Sequence, residues 1–228
     1  MPTGTEFYII LILPALIFSV WASFNVNHTF NKYSKISNSR GITAENAVYA
    51  VLDNNHIGGI SLERINGNLT DHYDPAKNTI RLSQNVSGST SISAIGVAAH
   101  EAGHAVQYGT GYSLIKLRTM IIPVCQFGSN AAMPLVFIGL FFSIPVFVDL
   151  GILFFGAAVV FQLVTLPVEF NASHRAVTAL RETGTLTGTE LIGAEKVLKA
   201  AALTYVAALA VALLNFLRLL SLAGRRRR

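Results

Sequence analysis

At 228 residues, 52% hydrophobic and only 13% charged, the chain has the composition of a membrane protein rather than of one or two soluble domains. The formal charge of +5 includes the terminal Arg225 to Arg228, an ordinary basic end for an apolar helix, and no nucleic-acid signature accompanies it. The single cysteine, Cys125, excludes an intrachain disulfide and sits in an apolar run, where an inert buried thiol is expected rather than a nucleophile.

Phe7 to Phe24 is an uncharged run long enough to cross a bilayer as a helix, with Pro14 as a tolerated kink. Met1 to Glu6 contains no Lys or Arg, so the run reads as a membrane anchor over residues 7–24 rather than a cleaved signal peptide. A polar connector follows from Asn25 to Arg40. Thr43 can then cap a helix whose Ala47, Val48, Val51 and Leu52 recur at helical spacing, with Gly58-Gly59 marking its end. Short runs around Ile60, Tyr73 and Ile80 are separated by Asn66-Gly67 and Asp74-Pro75, both turn signals, which predicts a small antiparallel β-meander. Its last strand, Thr79, Ile80, Arg81, Leu82 and Ser83, either offers an edge to an extended peptide substrate or simply covers the helix that follows.

That helix carries His100-Glu101-Ala102-Gly103-His104, capped by Ser89 or Ser91. Histidines four apart lie on one helix face, so two imidazoles can reach one Zn²⁺ while Glu101 points at its open position as general base. Two histidines and a glutamate also occur by chance on solvated helix faces, so a third ligand is needed. His56 and His72, alone in loop or hairpin sequence, read as surface residues. Residues 25–113 thus form a zincin-like region.

From Thr119 to Val148 there is no charge, too long a stretch for one span. Ser143-Ile144-Pro145 and Asp149 mark a break, making residues 119–168 a membrane hairpin of two helices that returns the chain to the side it left. What emerges is Glu169, in a segment, 169–199, that supplies a carboxylate from a second helix. Three protein ligands, His100, His104 and Glu169, leave one coordination position for water and substrate. Taken alone, Glu169 would be a solvated residue at a membrane boundary. A fourth span is expected at 200–220.

With these residues in place the chain resembles the membrane-bound neutral zinc metallopeptidases of the YugP type. The matching segments are Tyr73-Asp74-Pro75, Ile80-Arg81-Leu82-Ser83, Val97 to Ala105, Pro167-Val168-Glu169-Phe170 and Ala201 to Ala207, spread over nearly the whole chain. The resemblance implies a multipass membrane zinc protein, classed as a peptidase, with His100, His104 and a downstream glutamate as ligands. A more distant likeness to membrane gluzincins implies an aspartate where this chain has Ser173; that residue would orient a ligating histidine. Asn171 or Ser173 can take its place by hydrogen bonding. His174 is a substitute ligand or oxyanion donor by type, although its helical phase points it away from Glu169, and Tyr205 is a packing residue first and a catalytic donor second.

The expected fold is therefore a mostly α membrane protein with about four transmembrane helices, a zincin-like helix and a small antiparallel meander. Lys32, Lys35, Arg40, Lys116, Arg118, Arg175, Arg181, Lys196 and Lys199 on the metal side outnumber the terminal arginines, which predicts a multipass cell-membrane protein with a cytoplasmic site. The expected activity is zinc-dependent endopeptidase cleavage of a peptide or membrane-protein substrate near the lipid bilayer surface. The alternative is a non-catalytic scaffold or chaperone-like protein holding a structural zinc.

Overall fold

A computed structural model describes residues 8–226; Met1 to Phe7, including the start of the expected anchor, and Arg227 and Arg228 lie outside the described residues. A π-helical turn, Tyr8–Ile12, leads into α1 (Leu13–Tyr33), followed by α2 (Ala44–Asn54). Three strands come next, β1 (Ser61–Ile65), β2 (His72–Asp74) and β3 (Thr79–Ser83). Then follow α3 (Ile92–Gly109), α4 (Ser113–Phe141), α5 (Pro145–Glu182) and α6 (Gly188–Arg226). These elements form two compact units, one built from Phe24–Lys116 with Pro167–Ala202, the other from Met1–Ser23, Leu117–Leu166 and Leu203–Arg228.

The second of these units is built mainly of apolar helix. Among the described residues four helices are long and apolar enough to cross a membrane: Ile9–Tyr33, Ser113–Phe141, Pro145–Glu182 and Gly188–Ser221. The break between α4 and α5 falls where Ser143-Ile144-Pro145 places it: Ser143 has φ 56° and Pro145 opens α5, where its missing N–H costs nothing. The two helices pack through small residues. A Cβ on Gly139 would meet the Val148 nitrogen at 2.7 Å, and one on Gly151 would meet the Ala132 carbonyl oxygen at 2.7 Å. Cys125 is buried, its thiol directed at the Ala157 carbonyl.

The other unit folds around α3. Ser91 caps it, its hydroxyl accepting from the Ala94 N–H, and Thr43 caps α2 in the same way through Asn46. Ile95, Ala98, Ala99, Ala102 and Val106 of α3 are buried against Val48 and Val51 of α2, Ile80 and Leu82 of β3, Ala176 and Leu180 of α5, and Ala194 of α6. Of the stretch expected to be polar connector, Asn25 to Tyr33 instead continues α1, and the remainder before α2 is tied down by the buried Asn38 side chain. Asn38 donates to the carbonyls of Ile42 and Thr90 and accepts from the N–H groups of Arg40 and Ile42. After Glu169 the helix runs on without a break to Glu182, because Ala172, Ala176, Ala179 and Leu180 keep one buried face in phase.

The sheet is mixed, not an antiparallel meander. Its order is β1-β3-β2, with β1 parallel and β2 antiparallel to β3. Parallel pairing needs a crossover, and residues 66–78, which include β2, provide it; Asn66-Gly67 makes a turn without a hairpin. Arg81 on the central strand bridges both neighbours, bonding Glu63 of β1 and Asp74 of β2, both at 2.8 Å. The segment Thr79 to Ser83 is consequently the central strand rather than an edge, and four of its five residues are buried.

Helix α3 comes close to the backbone of α5 at Gly103. A Cβ on Gly103 would lie 2.5 Å from the Ala172 carbonyl oxygen and 3.2 Å from its carbon. Backbone cannot give way as a flexible side chain can, so Gly103→Ala is expected to push the helices apart and destabilise the protein by about 1–3 kcal/mol. Thermal unfolding in detergent checks this; an unchanged or raised Tm would contradict it.

Candidate metal centre

His100 and His104 stand one helical turn apart on α3, and Glu169 reaches them from α5. The Glu169 Oε2 atom is 3.2 Å from His100 Nε2 and 3.7 Å from His104 Nε2. The three ligand atoms all lie within 4.8 Å of one another, so the group can hold a metal ion. Glu169 is 2% exposed and His104 8% exposed, a depth at which carboxylate and imidazole need partners. The imidazole rings meet edge to face, with centroids 4.7 Å apart and planes at 79°.

Each ring nitrogen that faces away from Glu169 is also held. Ser173 Oγ lies 3.1 Å from His100 Nδ1, and Gln107 Oε1 lies 2.9 Å from His104 Nδ1. Asn171 does not touch a histidine; its Oδ1 accepts from Gln107 Nε2 and from Arg175 Nε, both at 2.9 Å. Glu101 is buried, and its Oε2 accepts the main-chain N–H of Tyr73 on β2 at 3.0 Å.

Several other sequence candidates do not join the group. His174 is exposed and lines a cleft with Phe170, Val177, Leu198 and Lys199. His72 has its ring nitrogens beside the Thr70 carbonyl and Arg81. His56 lies in the loop after α2 at φ 56°, and Tyr205 belongs to the membrane-helix unit. Sequence reasoning missed Gln107 and the Tyr73 N–H. Gln107 could have been found, because a residue three beyond His104 lies on the same helix face; a main-chain donor leaves no mark in residue identity.

The model of one protein family, described as "Putative neutral zinc metallopeptidase", matches residues 8–224. The chain belongs to this family. It is also 47% identical over 213 residues to the "Putative membrane protease YugP" of Bacillus subtilis (strain 168), covering 92% of this chain and 94% of that protein. No solved structure matches. The cofactor of this membrane metallopeptidase is Zn²⁺, which the His-His-Glu cluster is able to bind.

The donor set fits that ion on its own geometry. Nitrogen and oxygen ligands about 2.0–2.2 Å from one tetrahedral zinc stand roughly 3.3 Å apart, and the two His–Glu separations, 3.2 and 3.7 Å, lie close to that edge. Burial disfavours the charged form of His104, but the nearby Glu169 and Glu101 carboxylates outweigh it and raise the imidazole above its ordinary 6.5. Protons therefore compete with zinc at His104 from a higher pH than at an ordinary histidine, and the competition fades as pH rises past the raised value. Zinc affinity measured by chelator competition should fall steadily as pH drops from about 8 to 6; a flat profile would contradict this.

Proposed function

We propose that the protein is a membrane-integral zinc endopeptidase hydrolysing peptide bonds at or near the membrane surface, with His100, His104 and Glu169 as metal ligands and Glu101 as general base. The observation that carries this reading is a three-ligand donor group, with a second carboxylate, Glu101, beside it and held by a separate donor. A structural zinc usually has four protein ligands. Neither His72 nor His174 joins the group among the described residues, which favours catalysis over the scaffold alternative.

When bound, Zn²⁺ supplies the Lewis acidity that brings the pKa of a coordinated water down toward about 7. Glu101 takes a proton from the attacking water and later delivers it to the leaving amine, the sequence expected of a general base that turns acid. The Tyr73 N–H keeps one carboxylate oxygen of Glu101 occupied and so restricts its swing. Because β3 is interior, a peptide main chain has β1 or β2 to pair with, and β2 carries the contact to Glu101. Ser173 orients His100, the task the sequence expectation assigned to Ser173 or Asn171.

Glu101→Gln keeps the size of the side chain and removes the base. Purified protein carrying it should retain zinc at the parental stoichiometry and lose peptide hydrolysis by at least about 100-fold. Hydrolysis at the parental rate would remove Glu101 from the mechanism.

We place the protein in the cell membrane as a multipass protein, crossing at residues 7–24, in the hairpin 119–168 and at 200–220, with the metal site on the cytoplasmic side. The basic residues flanking the site support this orientation. With Cys125 replaced by Ser and a cysteine introduced at Thr3, an impermeant thiol reagent should label intact cells. Protection until the cells are opened would reverse the orientation.

A further inference from the structure

Gln107 is fully buried on α3, and both ends of its amide are committed. Its Nε2 donates to the Val168 carbonyl at 2.8 Å and to Asn171 Oδ1 at 2.9 Å. A main-chain carbonyl only accepts, so turning the amide over would set oxygen against oxygen. The Asn171 amide is fixed by the same logic, because the Arg175 guanidinium, which only donates, points Nε at Asn171 Oδ1. The atom that Gln107 presents to His104 is therefore its oxygen, 2.9 Å from Nδ1. An oxygen there requires the proton on Nδ1 and leaves the Nε2 lone pair facing the Glu169 side. His100 is under no such constraint, since the Ser173 hydroxyl beside it can donate or accept.

We propose that Gln107 is the positioning residue of the metal centre: it sets the tautomer of His104 and, through Val168 and Asn171, holds the two ligand-bearing helices in register. The proposal rests on His104 being a zinc ligand. It assigns to a neutral amide the orienting task that a carboxylate performs at many zinc sites, without adding a negative charge beside the ligand. Val168 immediately precedes Glu169, so one side chain ties the second histidine to the strand of backbone that carries the third ligand. Arg175 and Asn171 lie on the same helix one turn apart, so the far end of the relay is anchored to α5 as well.

The test uses the full chain in detergent, with zinc affinity from chelator competition, the electronic spectrum of the Co²⁺-substituted protein, and thermal unfolding of the metal-free protein measured separately. Gln107→Leu keeps the bulk and removes all three side-chain hydrogen bonds. It is expected to weaken zinc binding 10- to 100-fold and to alter the Co²⁺ spectrum, whatever its effect on unfolding. A residue that serves only to pack would lower the unfolding temperature and leave affinity and spectrum alone, and that result overturns the proposal. If Gln107→Leu does not fold, Asn171→Leu and Asn171→Asp decide. The aspartate still accepts from Gln107 and Arg175 and is expected to hold zinc as the parent does, while the leucine is expected to bind more weakly; equal affinities overturn the proposal. His104→Ala separates the two claims. Undiminished zinc binding in that variant would end the ligand assignment itself, whereas weakened binding there beside a normal Gln107→Leu would end only the role of Gln107.

Discussion

The metal group exists because two helix backbones approach each other at Gly103. With no side chain on that face, α3 sits against the Ala172 carbonyl of α5, and the residues on either side of the contact are mainly alanines. Glu169 lies one turn before Ala172 and the histidines flank Gly103, so the approach that buries the alanines also delivers the carboxylate to the imidazoles. A bulkier interface would leave the same three residues on the same helices and out of reach of one another.

Burial sets the energetic stakes. Desolvating a carboxylate costs several kcal/mol, and it is tolerated when the partners are well placed. Glu169 has two imidazoles within 3.7 Å, and each imidazole is held on its other side by Ser173 or Gln107. The result is a small buried polar group in which the carboxylate, the two imidazoles and their Ser173 and Gln107 partners answer one another. Such a group is stiff. Stiffness is what a site needs if the ligands are to wait in place for the ion rather than be gathered by it.

The sheet serves this group from one side. Arg81 ties the outer strands to β3, and Asp71 holds both the N–H and the hydroxyl of Ser83 at the strand's end. With β3 anchored in the core by Ile80 and Leu82, β2 is carried to a position where the Tyr73 N–H meets Glu101. A three-residue strand thereby connects the scaffold to the carboxylate that performs the proton transfers in the proposed mechanism.

Much of this was legible in residue order. Charge-free runs around Val20, Phe137, Phe154 and Val211 marked helices able to cross a membrane, because apolar length is a local property. The spacing of His100 and His104 put them on one face by helix geometry alone, and the break at Ser143-Ile144-Pro145 came from backbone chemistry. Glu169 was legible only through an argument about where the chain re-emerges. Other features were decided by tertiary structure. Strand order was one: turn signals at Asn66-Gly67 say that the chain bends, whereas which strands pair is settled only when they pack, with β3 between β1 and β2. The orienting bonds were another, since Gln107, Val168 and Asn171 meet only when α3 and α5 are packed, and the donor for Glu101 is a peptide N–H that every residue but proline possesses. Sequence determined which side chains could bind a metal and on which helices they would ride. Packing determined which of them meet, because distance between residues 69 positions apart is set by the contact of two surfaces and not by any local rule.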